Sequence, residues 1–117
     1  MKKIITLTLI LFTATLTLSA QDKNAKTKIE VDGVCGMCKE RIEKAAIRTK
    51  GVKSAVWSIE THVLDLIFDE RKTNVRTVCE KIAEAGHDTK MVKATEENYN
   101  KVHDCCRYRD PEVIGEH

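Results

Sequence analysis

The chain has 117 residues, with 20 Lys and Arg against 18 Asp and Glu, 42% apolar and 4% aromatic residues. That length holds one domain of ordinary globular composition, and so few aromatics argue against a base-stacking nucleic-acid platform. Without Lys2 and Lys3, which fall in a segment expected to be removed, the 20 basic residues become 18 and balance the 18 acidic ones, leaving no electrostatic claim on nucleic acid or anionic lipid.

Met1-Lys2-Lys3 is a short basic start, and residues 4–18 are Ile, Leu, Thr, Ala and Phe without a charge. Ser19-Ala20 then offers a small-residue cleavage site before Gln21. This is the layout of a secretory signal peptide over residues 1–20, since the apolar run falls short of the roughly 20 residues of a spanning helix. No Cys lies near the cut, which argues against a lipid-anchored N-terminus. The expected mature chain is exported, to the periplasm if the host is a Gram-negative bacterium, and keeps no stable membrane anchor.

Residues 21–25 read as a flexible lead-in. Thr27-Lys28-Ile29-Glu30-Val31 alternates as a strand does. Asp32 to Gly36 reads as a turn, and residues 37–50 as a helix with Cys38, Ile42, Ala45 and Thr49 at helical spacing and Ala46 beside them. A second strand is expected over 52–60, with Ala55, Trp57 and Ile59 on one face. A third follows over 63–68, with Leu64, Leu66 and Phe68 in register, so the pair makes an antiparallel hairpin across Thr61-His62. The second helix starts at Thr73 or Asn74 as N-cap and buries Val75, Val78, Cys79, Ile82 and Ala85 before Gly86. Residues 90–93 read as a short fourth strand.

That order gives an α+β, ferredoxin-like βαββαβ sandwich over residues 26–94, two helices covering one face of a four-stranded antiparallel sheet. Residues 95–117 are expected to form a helix of about three turns, with Tyr99, Val102 and Cys106 on one face, and a loose tail from Arg107.

Cys35-Gly36-Met37-Cys38 places one thiol on a loop and a second in the first helical turn. Both sulfurs can then reach one ion, and the helix N-terminus is expected to lower both thiol pKa values. Thiolate is the form that binds soft metal, and Gly36 is expected to let the loop wrap closely. A thioredoxin-type redox pair expects a longer chain and a cis-Pro, yet the one Pro is Pro111. A zinc ribbon needs a second CxxC, which adjacent Cys105 and Cys106 do not supply. A structural disulfide across so short a loop adds little stability.

From Val31-Asp32-Gly33-Val34-Cys35-Gly36-Met37-Cys38 to Lys44-Ala45, with Gly51-Val52, Phe68-Asp69 and Ala85-Gly86-His87, the chain resembles the heavy-metal-associated domain family. That family includes copper chaperones, the N-terminal modules of metal-transporting ATPases and periplasmic mercury-binding proteins. The resemblance implies one soft ion held by Cys35 and Cys38 and passed to a metal-transport or metal-accepting partner. It also puts His87 beside the site as third ligand or screen. The family's usual Met position is Gly33 here and its Gly position Asp32, so the apolar plug under the loop is either missing or supplied by Val34.

His103-Asp104-Cys105-Cys106 forms a second cluster. On a helix His103 and Cys106 would share a face and Cys105 would point elsewhere. Accessory metal binding, disulfide formation and plain packing all remain open for it. Cys79 reads as a buried inert thiol and His62 as a solvated turn residue.

The expected function is soft-metal binding for carriage, delivery or sequestration, without catalysis. Cu(I) is the leading ion, with Hg(II) next and Zn(II) or Cd(II) as alternatives. Zn(II) prefers four ligands and would draw on His87, the tail or a metal-bridged homodimer. The rival is a thiol–disulfide oxidoreductase using the same CxxC.

Overall fold

The computed structural model describes residues 21–102 and 104–112. The expected signal peptide over residues 1–20, His103 and residues 113–117 lie outside the described residues.

Strand β1 (Ala25–Glu30) leads through the Cys35 loop into helix α1 (Gly36–Ile47). Strands β2 (Val52–Trp57) and β3 (Val63–Phe68) form the expected hairpin, and helix α2 (Val75–Glu84) follows. The sheet is antiparallel in the order β1-β3-β2. Leu64 pairs with Ile29 on one side and Trp57 on the other, so β3 carries the centre of the core. Alternation explains the burial: Leu64, Leu66 and Phe68 turn inward while Asp65 faces water. Ile42 and Ala46 of α1 and Val78 and Ile82 of α2 close that face. Ile59, expected inside, lies past the end of β2 and is exposed.

Asn74 caps α2, its side chain accepting from Thr77 N at 2.9 Å. Gly86 ends it with φ 100°, in the left-handed region that favours glycine.

The sheet has three strands among the described residues, and the fourth expected over 90–93 does not form. Thr89 makes one bridge to Val31, but its N–H then donates to Val92 O at 2.9 Å. Val92 N in turn donates to Thr89 Oγ1 at 3.0 Å. Thr89 and Val92 thus spend their backbone N–H groups on a local loop and not on a ladder along β1.

The expected three-turn C-terminal helix is instead a one-turn helix α3 (Glu96–Tyr99) and a 3-10 turn (Asp104–Cys106). Val102 and Cys106 still reach the core, and Tyr99 packs against it, so the expected inward face forms although the expected helix does not. The segment after Arg107 is no loose tail where described, because Tyr108 is buried and Arg109 is tied to Asp88.

Candidate metal centre

Cys35 is the N-cap of α1, with extended backbone (φ −143°), and its carbonyl accepts from Lys39 N at 3.0 Å. Cys38 sits in the first turn and is fully buried. Their sulfurs lie 3.3 Å apart, a contact between free thiols. The loop expected from the CxxC spacing is therefore formed.

What holds that loop differs from the expectation. A Cβ at Gly36 would meet nothing within 4 Å, so close wrapping does not depend on that glycine. The tight position is Gly33, where a Cβ would lie 3.0 Å from Trp57 Cη2 and 3.1 Å from Cys38 Cβ. The indole of Trp57 fills the space under the loop, with its Nε1 donating to Val31 O at 3.0 Å. Trp57 thus supplies the apolar plug, with Val34 only partly buried at the margin. Strand alternation turned Trp57 inward; no local pattern said that it ends under the cysteines.

The second cluster converges on the first. Cys35 Sγ lies 3.2 Å from Cys106 Sγ and 3.5 Å from Cys105 Sγ. The Cys105 and Cys106 sulfurs are 3.9 Å apart, and Cys105 also donates to Met37 Sδ at 3.4 Å. Cys35, Cys105 and Cys106 form a ligand group whose sulfurs all lie within 4.8 Å of one another. Cys105 therefore does not point away, as a helix would have required. In a 3-10 turn successive side chains splay by about 120°, and two adjacent thiols here approach Cys35 together.

The thiols divide in their acidity. Burial raises Cys35, but hydrogen bonds with Cys106, the Cys38 backbone and side chain, and Cys105 outweigh it and bring it below the usual thiol value. Cys38 moves up because it is buried, against the expectation that the helix N-terminus lowers both. Cys105 is raised first by its hydrogen bond with Cys35 and then by burial. Cys106 is pushed far up, by burial and then by Cys38 and Cys35. One incipient thiolate is surrounded by thiols that donate to it, and a cation entering the cluster would displace their protons. Cys79 stands apart, fully buried on α2 with its thiol raised by burial, as an inert core residue.

His87 is fully buried next to the loop base. Its Nδ1 donates to Asp32 O at 2.8 Å, and its ring stacks on Tyr108 at 5.2 Å. Nε2 is buried without a hydrogen-bond partner. Burial lowers its pKa to about 4. The imidazole is not among the ligand atoms grouped within 4.8 Å of one another among the described residues.

The model of the heavy-metal-associated domain matches residues 28–88, from within β1 to the turn after α2. A CopZ metallochaperone is similar in structure, with TM-score 0.54 and 29% identity, over 56% of this chain and 98% of that one. A copper binding domain from HMA7, a P-type ATPase, superposes with TM-score 0.54 at 25% identity, over 57% of this chain and 92% of that one. The water-soluble region of the P-type ATPase CopA from Bacillus subtilis gives TM-score 0.54 and 28% identity, over 60% of this chain and 46% of that one. A search of curated proteins finds no match. The matched stretch takes in more than half of the residues and the whole CxxC loop, and the chain belongs to the heavy-metal-associated domain family.

Proposed function

We propose that this protein is an exported carrier of one soft cation, Cu(I) first and Hg(II) second, and not a catalyst. The observation that carries this reading is the pair of free sulfurs 3.3 Å apart at the start of α1, Cys35 acidified by its neighbours. Soft thiolates favour soft cations of low coordination number. The similar CopZ is named a metallochaperone, and the similar HMA7 domain is named copper binding. By analogy this chain delivers its ion to a metal-accepting protein by ligand exchange. The apolar stretch over residues 4–18 supports export.

The test is anaerobic titration of the reduced mature protein with Cu(I) against a competing chelator. We expect one tight equivalent that weakens by roughly 100-fold or more in Cys35→Ser/Cys38→Ser, since both anchoring ligands are lost. His87→Ala should weaken binding less, through the loss of its hydrogen bond to Asp32 in the loop. Equal, weak binding by the wild type and the double variant overturns copper carriage. Disulfide reductase activity that needs Cys35 and no metal would instead establish the oxidoreductase.

A further inference from the structure

Residues 95–112 lie outside the stretch matched by the family, yet they bring two thiols to the CxxC. We propose that Cys105 and Cys106 join Cys35 and Cys38 as metal ligands, so that three or four sulfurs hold the ion. This rests on the soft-metal reading above and changes what that site takes. A two-thiolate site suits a linear ion, whereas this set offers trigonal or four-sulfur coordination to any thiophilic cation, Cu(I), Hg(II), Cd(II) or Zn(II).

The distances fit such a set. A tetrahedral ion about 2.3 Å from each sulfur spaces the sulfurs about 3.8 Å apart. The observed 3.2, 3.5 and 3.9 Å differ from that spacing by about 0.6, 0.3 and 0.1 Å, so Cys35 and Cys106 would move apart slightly on binding.

Packing alone explains Cys106, which is fully buried, but not Cys105. Cys105 is half-buried at the edge of the core, and every hydrogen-bond contact of its thiol is to sulfur, from Cys35, Cys106 and Met37. A side chain chosen to fill a core would not end at the rim of a sulfur cluster.

The segment is also built to stay. Tyr108 Oη donates to Gly86 O at 2.7 Å and accepts from Asp88 N at 3.0 Å, both in the turn after α2. Arg109 grips the Asp88 carboxylate through both Nε and Nη2, and Nη2 also donates to Ala94 O at 2.9 Å. Its guanidinium lies 4.4 Å from the Tyr99 ring centre. On the other side of the cysteines Val102 is buried. With both flanks fixed to the domain, the two thiols are delivered in place, and no second copy is needed to complete the coordination.

The test counts sulfurs. Cu K-edge X-ray absorption on the reduced mature protein carrying one equivalent of Cu(I) should show three or more sulfur neighbours. Cys105→Ser, at a half-exposed position, should lose one of them. Cys105→Ser/Cys106→Ala should bind through two sulfurs and lose affinity at least on the roughly 10–100-fold scale of an outer-shell ligand partner. Circular dichroism of the metal-free variants separates that loss from misfolding. Two sulfurs in the wild type, or an unchanged count in Cys105→Ser, overturn the proposal while leaving copper carriage intact. No Cu(I) binding by the wild type overturns both.

Discussion

The CxxC loop and the Cys105-Cys106 turn present the same chemistry by opposite means. Cys35 and Cys38 are three residues apart at one helix start, and the start of α1 brings their sulfurs together. Cys105 and Cys106 reach Cys35 across 70 and 71 residues of chain, on a three-residue 3-10 turn with no internal strength of its own. They stay there because Tyr108 and Arg109 dock on the turn after α2. The first pair depends on local geometry, the second on long-range hydrogen bonds and aromatic packing. The two should therefore fail separately.

The largest expected effect comes from Tyr108→Ala. Removing a buried aromatic costs about 3–5 kcal/mol, and it leaves Gly86 O and Asp88 N without their partner. Cys105 and Cys106 should then be alkylated much faster than in the wild type, while Cys79 stays protected, as mass spectrometry of iodoacetamide-treated protein reads. If Cys79 reacts equally fast, the arm and the domain are one cooperative unit and the contrast fails.

A smaller effect is set by pH. His87 has a folded pKa of about 4 because it is buried, against an ordinary value of 6.5. The unfolded chain binds this proton more readily, so the contribution of His87 is full above about pH 6.5 and is lost as pH falls toward 4. From about pH 7 to pH 5 the loss is about 2 kcal/mol. Thermal melts of the wild type should fall by several degrees over that range, and those of His87→Gln should fall less. Equal slopes would mean that the imidazole is not the group responsible. Since His87 stacks on Tyr108 and holds Asp32, this measurement sharpens where the arm ends and the loop support begins.

The smallest effect tests the remote end. Asn74→Ala removes the cap of α2 and should cost about 1 kcal/mol in denaturant unfolding. Its Cu(I) affinity should match the wild type, because Asn74 holds only the N-terminus of α2. A lower affinity would show that α2 transmits strain to the cysteines.

Legibility in the sequence follows the same division. The CxxC loop, both helices of the domain and the β2–β3 hairpin are written in local spacing, and they form. The fourth strand misled because residues 90–93 are short and Thr89 and Val92 satisfy one another. The spacing of Tyr99, Val102 and Cys106 puts them on one face, and they do face the core, although two short turns replace the helix that the spacing suggests. Trp57 under the loop was not legible, since alternation orients a side chain without saying which residue it will meet. The contact of Cys35 with Cys106 has no local signal at all, since it depends on how the chain folds back after Ala94.

Gly86 has a consequence of its own. Its φ of 100° ends α2, and a Cβ there would lie 2.7 Å from both Asn98 O and Val102 Cγ1. One missing side chain therefore serves as helix stop and as the seat on which the following segment rests. A methyl group at this point would act as a wedge, prying residues 98–102 off the turn and drawing the two distal thiols away with them. The number of sulfurs that an incoming ion meets is thus governed by a residue that offers it no atom.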